Sequence, residues 1–317
     1  MPMVFPPELL PYLLPEEAPP EQYAIGRTRG RAEDIRDPLL RRSYLWANAL
    51  TLAALEATTR FSGKFSGLSA GIVSLNPNQR PASIQAVEGF AFGIGVHFAA
   101  DEARPGEVIT VEVGGRAFPL AIALGPYEPH GLPPHPAGGT GTCWITSTNR
   151  SKWHHGILTC RHTLAALSLG ASVGFQTNGV HVQPTRGHLA DIDACTIDAA
   201  IVEIAPGDWP AGLSRLPICH TVAPGQSVSF QGRFGSGKGT VLRVFQDPIY
   251  LGNLFGQRVI TDCSGGPGDS GSLLVDNTSG AGVGIYMGEI PDGQGGHEGM
   301  FQHLAQAATY FGFSTHL

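Results

Sequence analysis

The chain predicts a mainly β fold, and two observations carry that expectation. Its 43 glycines and 25 prolines in 317 residues mark many turns, and between those turns lie short runs of β-branched and apolar residues of strand length. The length is that of two domains, and a hydrophobic share of 42% is enough for sizeable cores.

Taken in order, residues 1 to about 36 are rich in Pro, Glu and Arg with little periodicity and read as an extended arm. Arg27, Arg29 and Arg31 within it read as a solvated face. From Pro38 to Arg60, the residues Leu39, Leu40, Leu45, Trp46, Ala49, Leu50, Ala53, Ala54 and Ala57 recur at helical spacing, with Asp37 as the N-cap before Pro38. Ala91 to Phe98, Glu107 to Val113 and Ala117 to Leu124 read as strands, the last two joined at Gly114-Gly115. A small α+β domain over 1–124 results. Residues 125–138, with the sequence GPYEPHGLPPHPAG, have almost no capacity for helix or ladder pairing and read as a linker. The second domain, 139–317, shows strands at Ser227 to Gln231, Thr240 to Phe245, Arg258 to Thr261, Ser272 to Val275 and Gly282 to Met287. It closes with a helix from Phe301 to Phe311.

The chemistry concentrates in Gly265-Gly266-Pro267-Gly268-Asp269-Ser270-Gly271-Ser272. A serine flanked by glycines and followed by an apolar strand exposes its hydroxyl, and the turn would aim the amides of Gly268 and Ser270 at one point. A serine hydroxyl needs a base to take its proton, and that base needs an acid to fix its tautomer. His162, in the polar turn that ends the strand Gly156-Ile157-Leu158-Thr159, is the candidate base. Asp198, at the mouth of the strand Ala200 to Ile204, is the candidate acid, with Asp191 and Asp193 as competitors.

These motifs resemble the chymotrypsin-like (trypsin-like) serine protease family, in its disulfide-poor bacterial branch of HtrA-type and glutamyl-endopeptidase-type enzymes. Three matches carry the resemblance: Gly139-Thr140-Gly141-Thr142-Cys143-Trp144-Ile145 followed by the strand into His162; the pattern opened by Asp198; and Thr261-Asp262 leading to Ser270. The order His, Asp, Ser excludes the subtilisin and α/β-hydrolase arrangements. The resemblance covers about residues 137 to 317. It implies two six-stranded antiparallel β-barrels with a carboxy-terminal helix, the three side chains meeting at their junction, and a serine endopeptidase acting on a protein substrate without metal or organic cofactor. It implies an oxyanion site at Gly268 and Ser270, and a specificity pocket with Ser264 at its base and walls from Tyr286, Gly288 and near Gly299. No aspartate occupies that base, which favours small or medium uncharged side chains; Glu289, Asp292 or Glu298 reaching inside would favour basic ones. A protease-fold binding module without turnover is the alternative.

In classical activatable members the aspartate before the serine pairs with a newly exposed α-amino group. Asp269 therefore raises the expectation that residues 1–124 act as a pro-domain or docking module, regulated with a partner protein, and that cleavage between Gly114 and Gly139 changes activity. The rival is that Asp269 binds Arg or backbone amides internally.

Other classes are disfavoured. A net charge of −6 gives no reason to expect nucleic acid or an anionic membrane as partner, and no run of 18 apolar residues exists. The amino terminus lacks the pattern of a secretory signal, so the expected location is cytoplasmic. Cys143, Cys160, Cys195, Cys219 and Cys263 are an odd set without CxxC spacing and read as free thiols, with a Cys143–Cys160 bridge left open. Gly232 to Lys238 approaches a phosphate-binding loop, but Gly239 stands where Ser or Thr is needed and a strand follows instead of a helix, so a hairpin turn is expected. His154, His155, His162 and Cys160 resemble a metal cluster in composition only.

Overall fold

A computed structural model of the chain describes residues 6–23, 32–33, 35–58, 65–75, 84–98, 108–123, 128–129, 139–149, 152–164, 167–174, 186–192, 197–247, 256–291 and 296–317. Arg27, Arg29, Arg31, Asp193 and Cys195 lie outside them.

The fold is mainly β, with a closed six-stranded barrel and a carboxy-terminal helix. The barrel is built from β12 (Ser227–Gln231), β13 (Ser236–Asp247), β14 (Gly256–Thr261), β15 (Leu273–Asp276), β16 (Gly282–Pro291) and β17 (His297–His303). Its ladder runs β12-β15-β16-β17-β14-β13, and β13 pairs back to β12, which closes the ring. Closure removes the exposed sheet edge that a flat six-stranded sheet would leave. Val228, Phe230, Val241, Val259, Leu274, Val283, Tyr286 and Phe301 fill its interior. The phosphate-loop-like segment is the hairpin between β12 and β13, closed by the Gly232 amide donating to the Gly235 carbonyl at 2.7 Å. The segment from Phe301 is strand to His303, and the helix α3 (Leu304–Phe311) follows, ending on Gly312 in the left-handed conformation.

A second antiparallel sheet has the order β18-β7-β8-β11-β10-β9, with β7 (Trp144–Ser147), β8 (His155–Thr159), β9 (Ser172–Gly174), β10 (Arg186–Ile192), β11 (Ala200–Ile204) and β18 (Phe313–His316). β7, β9 and β18 alternate buried and less buried positions as one-sided strands must, whereas the central β11 is buried on both faces. Ile145, Leu158 and Ile201 pack with Ile260, Ile285, Met287 and Leu304, so one apolar core joins this sheet to the barrel and holds their facing ends together.

The amino-terminal part contains α1 (Leu10–Leu13), α2 (Pro38–Thr58), β1 (Phe65–Ser74), β2 (Ala86–Val87), β3 (Phe90–Phe98), β4 (Val108–Val113) and β5 (Arg116–Ala123). Asp37 caps α2 as expected: its Oδ1 accepts from the amides of Leu39 and Leu40 at 2.8 and 3.0 Å. Trp46, Ala49, Leu50, Ala53 and Ala54 of α2 pack on Ile72, Phe92, Ile94, Val111 and Phe118. The first 36 residues are not simply an extended arm. Leu10, Leu13 and Leu14 are almost fully buried in this same core, at about 1.5–3 kcal/mol of burial each. Prolines hide the helical signal there without preventing one short turn of helix.

The amino-terminal strands are not a separate sheet. β13 is 12 residues long, and beyond its pairing with β12 its far half pairs with β1, Gly71 opposite Arg243 through Leu68 opposite Gln246. One 12-stranded sheet therefore runs from the barrel into β1, β3, β5 and β4. The segment read as having almost no capacity for ladder pairing also contributes a strand, β6 (Glu128–Pro129), which pairs with β16.

Candidate active site

His162 sits in the turn after β8, and Asp198 just before β11, the strand that pairs with β8 with Ala200 opposite Thr159. That pairing brings the two residues side by side. The Nδ1 of His162 lies 2.6 Å from Asp198 Oδ2, and the His162 backbone amide donates to Asp198 Oδ1 at 3.0 Å. On the other face of the ring, Nε2 lies 2.9 Å from Ser270 Oγ. Ser270 comes from the barrel, on the loop before β15, so the three side chains meet where barrel and sheet face each other. Asp198 and Ser270 are buried, and the His162 side chain keeps 16% exposure, enough for a reactant to reach the ring edge.

Gly266-Pro267-Gly268-Asp269 is a β-turn, its Asp269 amide donating to the Gly266 carbonyl at 3.0 Å. Pro267 holds the second position and Gly268, at φ 96°, the third, the type II arrangement that requires a left-handed residue there. Gly271 follows at φ 101°, where a Cβ would stand 1.8 Å from the Thr140 carbonyl oxygen. Glycine is thus required on both sides of the serine. Thr140 fixes the turn from the far side: its amide donates to the Ser270 carbonyl at 2.6 Å and its hydroxyl to the Gly268 carbonyl at 2.9 Å. The Gly139 to Ile145 segment therefore carries an anchor for the serine loop, a role its sequence alone did not reveal.

Asp269 is fully buried. Its Oδ1 accepts from the Phe234 amide at 2.8 Å and its Oδ2 from the Gly266 amide at 2.9 Å. Of the two kinds of partner expected for it, backbone amides are the ones present, supplied partly by the β12–β13 hairpin.

Several neighbours of Asp198 escaped the sequence reading. Gln302 is fully buried and its Oε1 accepts from the Asp198 amide at 3.3 Å and from Arg258, itself buried. Burial alone would push the Asp198 carboxyl up; the hydrogen bonds and charge of His162, with the nearby Arg258, outweigh it and hold the group below the usual carboxylate range. Cys160 lies with His162 and Asp198 in one cluster. Burial, reinforced by the Asp198 charge, raises its thiol well above the ordinary value, and Sγ donates to the Tyr286 carbonyl at 2.9 Å. A protonated thiol so occupied is a poor metal ligand. Cys143, Cys160, Cys219 and Cys263 are free thiols, so Cys143 and Cys160 form no bridge, and burial pushes Cys143 up to about 12.

Of the other candidates, His154 lies 3.7 Å from Glu203, and the His155 ring packs tilted against Trp209 with centroids 4.3 Å apart, so these histidines are engaged elsewhere. Asp191 lies on β10, its backbone opposite Ile201. In the expected pocket, Ser264 is half-buried. Tyr286 is wholly buried between Phe230 and Phe301, its hydroxyl accepting from the Gly265 amide at 2.9 Å. Gly288 lies on β16 opposite Met300, and Gly299 opposite Glu289. Glu298 is paired with Arg243, and Glu289 with His297 at 3.3 Å. Asp292 lies outside the described residues.

No protein-family model and no curated protein matches the chain. Among solved structures, the chain is similar to Nocardiopsis protease (19% identity over 56% of this chain and 92% of that one, TM-score 0.41). Thermobifida fusca protease A gives 21% identity, 56% and 90% coverage and a TM-score of 0.40. A glutamic acid-specific serine protease gives 19% identity, 56% and 98% coverage and a TM-score of 0.41. These structural neighbours are chymotrypsin-like serine proteases.

Proposed function

We propose that the protein is a serine endopeptidase that cleaves peptide bonds through an acyl-enzyme. The observation that carries this reading is the unbroken series Asp198 Oδ2, His162, Ser270 Oγ, at 2.6 and 2.9 Å. Ser270 attacks the scissile carbonyl while Nε2 of His162 takes its proton and later gives it to the leaving amine. Asp198 holds the ring with its proton on Nδ1 and stabilises the imidazolium that forms. The amides of Gly268 and Ser270 receive the oxyanion, on a turn tied down by Thr140 and Asp269. Residues 1–124 regulate the enzyme, as a pro-domain or docking module.

A fluorophosphonate probe tests the reading. Covalent labelling of the intact protein, absent in Ser270→Ala, is expected; failure to label would favour the protease-fold binding module instead.

The pocket is proposed to take small or medium uncharged side chains. Ser264 at its base supplies no charge, and the carboxylates of Glu289 and Glu298 already face His297 and Arg243. A digest of a peptide library should therefore show cleavage after uncharged residues, and dominant cleavage after Arg would show the pocket assignment to be wrong.

A further inference from the structure

The acid of the series is held from behind as well as from the side of His162. β14 pairs with β17 in a register that sets Arg258 opposite Gln302. Both side chains are buried, and a guanidinium nitrogen of Arg258 donates to Gln302 Oε1. The same oxygen lies 3.3 Å from the amide of Asp198. One acceptor atom therefore joins a cation of the barrel to the backbone that carries the acid in the second sheet. The other end of Gln302 fixes its orientation: Nε2 donates to the carbonyls of Gln257 and His303, each at 3.3 Å, and to Gln306 Oε1 at 2.9 Å. With acceptors on that side, Oε1 is the atom left to face Arg258.

Packing does not call for a cation at this place. The next residues of β14, Val259 and Ile260, are apolar side chains of the barrel interior and of the joining core. A buried charge is costlier than an apolar residue of similar volume unless a counter-charge faces it. Asp198 is a carboxylate on which the charge of Arg258 acts. The other groups around the acid come from several elements. The turn after β8 brings His162 and Cys160, the latter kept protonated by burial and by Asp198, with Arg161 partly exposed beside them. β17 brings His303, whose Nε2 lies 3.0 Å from the Cys219 carbonyl oxygen, and α3 brings the neutral Gln306. Arg258 is the buried cation of the set.

We infer that Arg258 is a positioning residue of the triad: through Gln302 it fixes the backbone that carries Asp198, and by offsetting part of that carboxylate's charge it sets how far into acid pH Ser270 remains a nucleophile. The inference rests on the endopeptidase reading. Asp198 favours the imidazolium that forms as Ser270 loses its proton, and Arg258 tempers that preference. With the cation removed, the carboxylate acts on the ring unopposed, the ring keeps its proton to higher pH, and activity is lost sooner on acidification. A unit charge within about 12 Å, at an effective dielectric of about 20, is worth about one pH unit.

The test is the pH profile of kcat/KM for a peptide ester, whose acid limb reports the base of the free enzyme. It is measured on the full chain, on Arg258→Gln and on Arg258→Lys, with fluorophosphonate labelling and a thermal unfolding curve for each. Arg258→Gln should move the acid limb up by about one unit, which is about a tenfold loss of kcat/KM along that limb. Arg258→Lys keeps the charge and should leave the limb in place. Gln302→Glu serves where Arg258→Gln does not fold: it keeps an oxygen for Arg258 but neutralises the cation, and should move the limb in the same direction. A merely structural Arg258 would lower kcat or Tm and leave the limb where it was. The inference is overturned if a folded, labelled Arg258→Gln or Gln302→Glu keeps the parent's limb, if Arg258→Lys moves it as far as Arg258→Gln, or if neither charge-removing variant folds. An unsubstituted protein that neither labels nor cleaves the ester would instead remove the endopeptidase reading itself.

Discussion

Ser270→Ala is expected to lower kcat for a peptide ester by about 10⁶-fold, His162→Ala by about as much, and the double substitution by little more. The non-additivity follows from the geometry. A hydroxyl 2.9 Å from Nε2 is a nucleophile only because that nitrogen can take its proton, so removing either partner removes the same step. The residual rate, about 10³-fold above water, would come from the amides of Gly268 and Ser270 and from substrate binding. Steady-state kinetics with a thermal unfolding curve for each variant is the check. Ala fits the Ser270 site without strain, so an unchanged unfolding curve with activity abolished is the anticipated pair of results. Near-normal turnover by Ser270→Ala would show that another group performs the attack.

Much of this was legible in the sequence because it is local. The glycines around Ser270, the strand ending at His162 and the strand opened by Asp198 are each short segments whose chemistry shows in adjacent residues. Period-2 and helical patterns likewise disclosed β3, β4, β5, α2 and five of the six barrel strands, although β13 begins four residues earlier and β16 ends four residues later than expected, and β17 was not read as a strand. What stayed hidden is non-local. Arg258 and Gln302 carry no signal of lying behind Asp198, because only the pairing of β14 with β17 places Arg258 opposite Gln302. Thr140 acts on the serine loop across 128 residues of sequence, through its bond to the Gly268 carbonyl. β1 was missed because Ser66, Gly67, Ser69 and Gly71 dilute its apolar alternation. Its identity as a strand comes from being flanked by β3 and β13. Here tertiary pairing overrides weak propensity. β6 is the extreme case: a Pro-rich segment has no ladder propensity of its own, and only the uncovered edge of β16 gives it a partner.

The length of β13 explains why an apparent two-domain division in the sequence becomes a continuous sheet. β13 pairs with β12 only from Ser236 to Thr240, while on its other edge it pairs with β14 from Val241, past the bulge before Arg243, to Asp247, so beyond Thr240 the edge that β12 leaves is open. By continuing to Asp247 it offers a second ladder to β1, and the helix α2 then closes the far side of that extension with Trp46 against Phe118, ring centroids 5.1 Å apart. Covering α2 and β1 together buries an edge that would otherwise template association with another chain. The same extension ties the amino-terminal part to the barrel by main-chain bonds, independent of the linker.

The second large effect is at Asp198. Asp198→Asn should lower kcat by about 10⁴-fold while leaving the fold and KM nearly unchanged, the size seen when this exchange preserves geometry but reverses the histidine tautomer. The backbone amide of His162 donates to one carboxylate oxygen of Asp198 at 3.0 Å, and Nδ1 faces the other at 2.6 Å. In the amide, the oxygen is retained by the backbone donor, so the NH₂ group turns toward Nδ1. Nδ1 must then accept, the ring proton moves to Nε2, and Nε2 points a hydrogen at Ser270 Oγ instead of a lone pair. The base is lost although every heavy atom stays in place. The substitution also alters acid stability with a definite sign. Because the folded-state pKa of Asp198 is depressed by His162 and Arg258 against its burial, its stabilisation is complete above the ordinary carboxylate range and is lost as pH falls through the depressed value. The Asn variant lacks that dependence, so its unfolding midpoint should fall less than the parent's between neutral and strongly acidic pH. Kinetics at neutral pH and thermal unfolding across the acid range measure the two effects separately. Turnover within tenfold of the parent would mean that His162 keeps its tautomer by another contact and that Asp198 is only a packing residue.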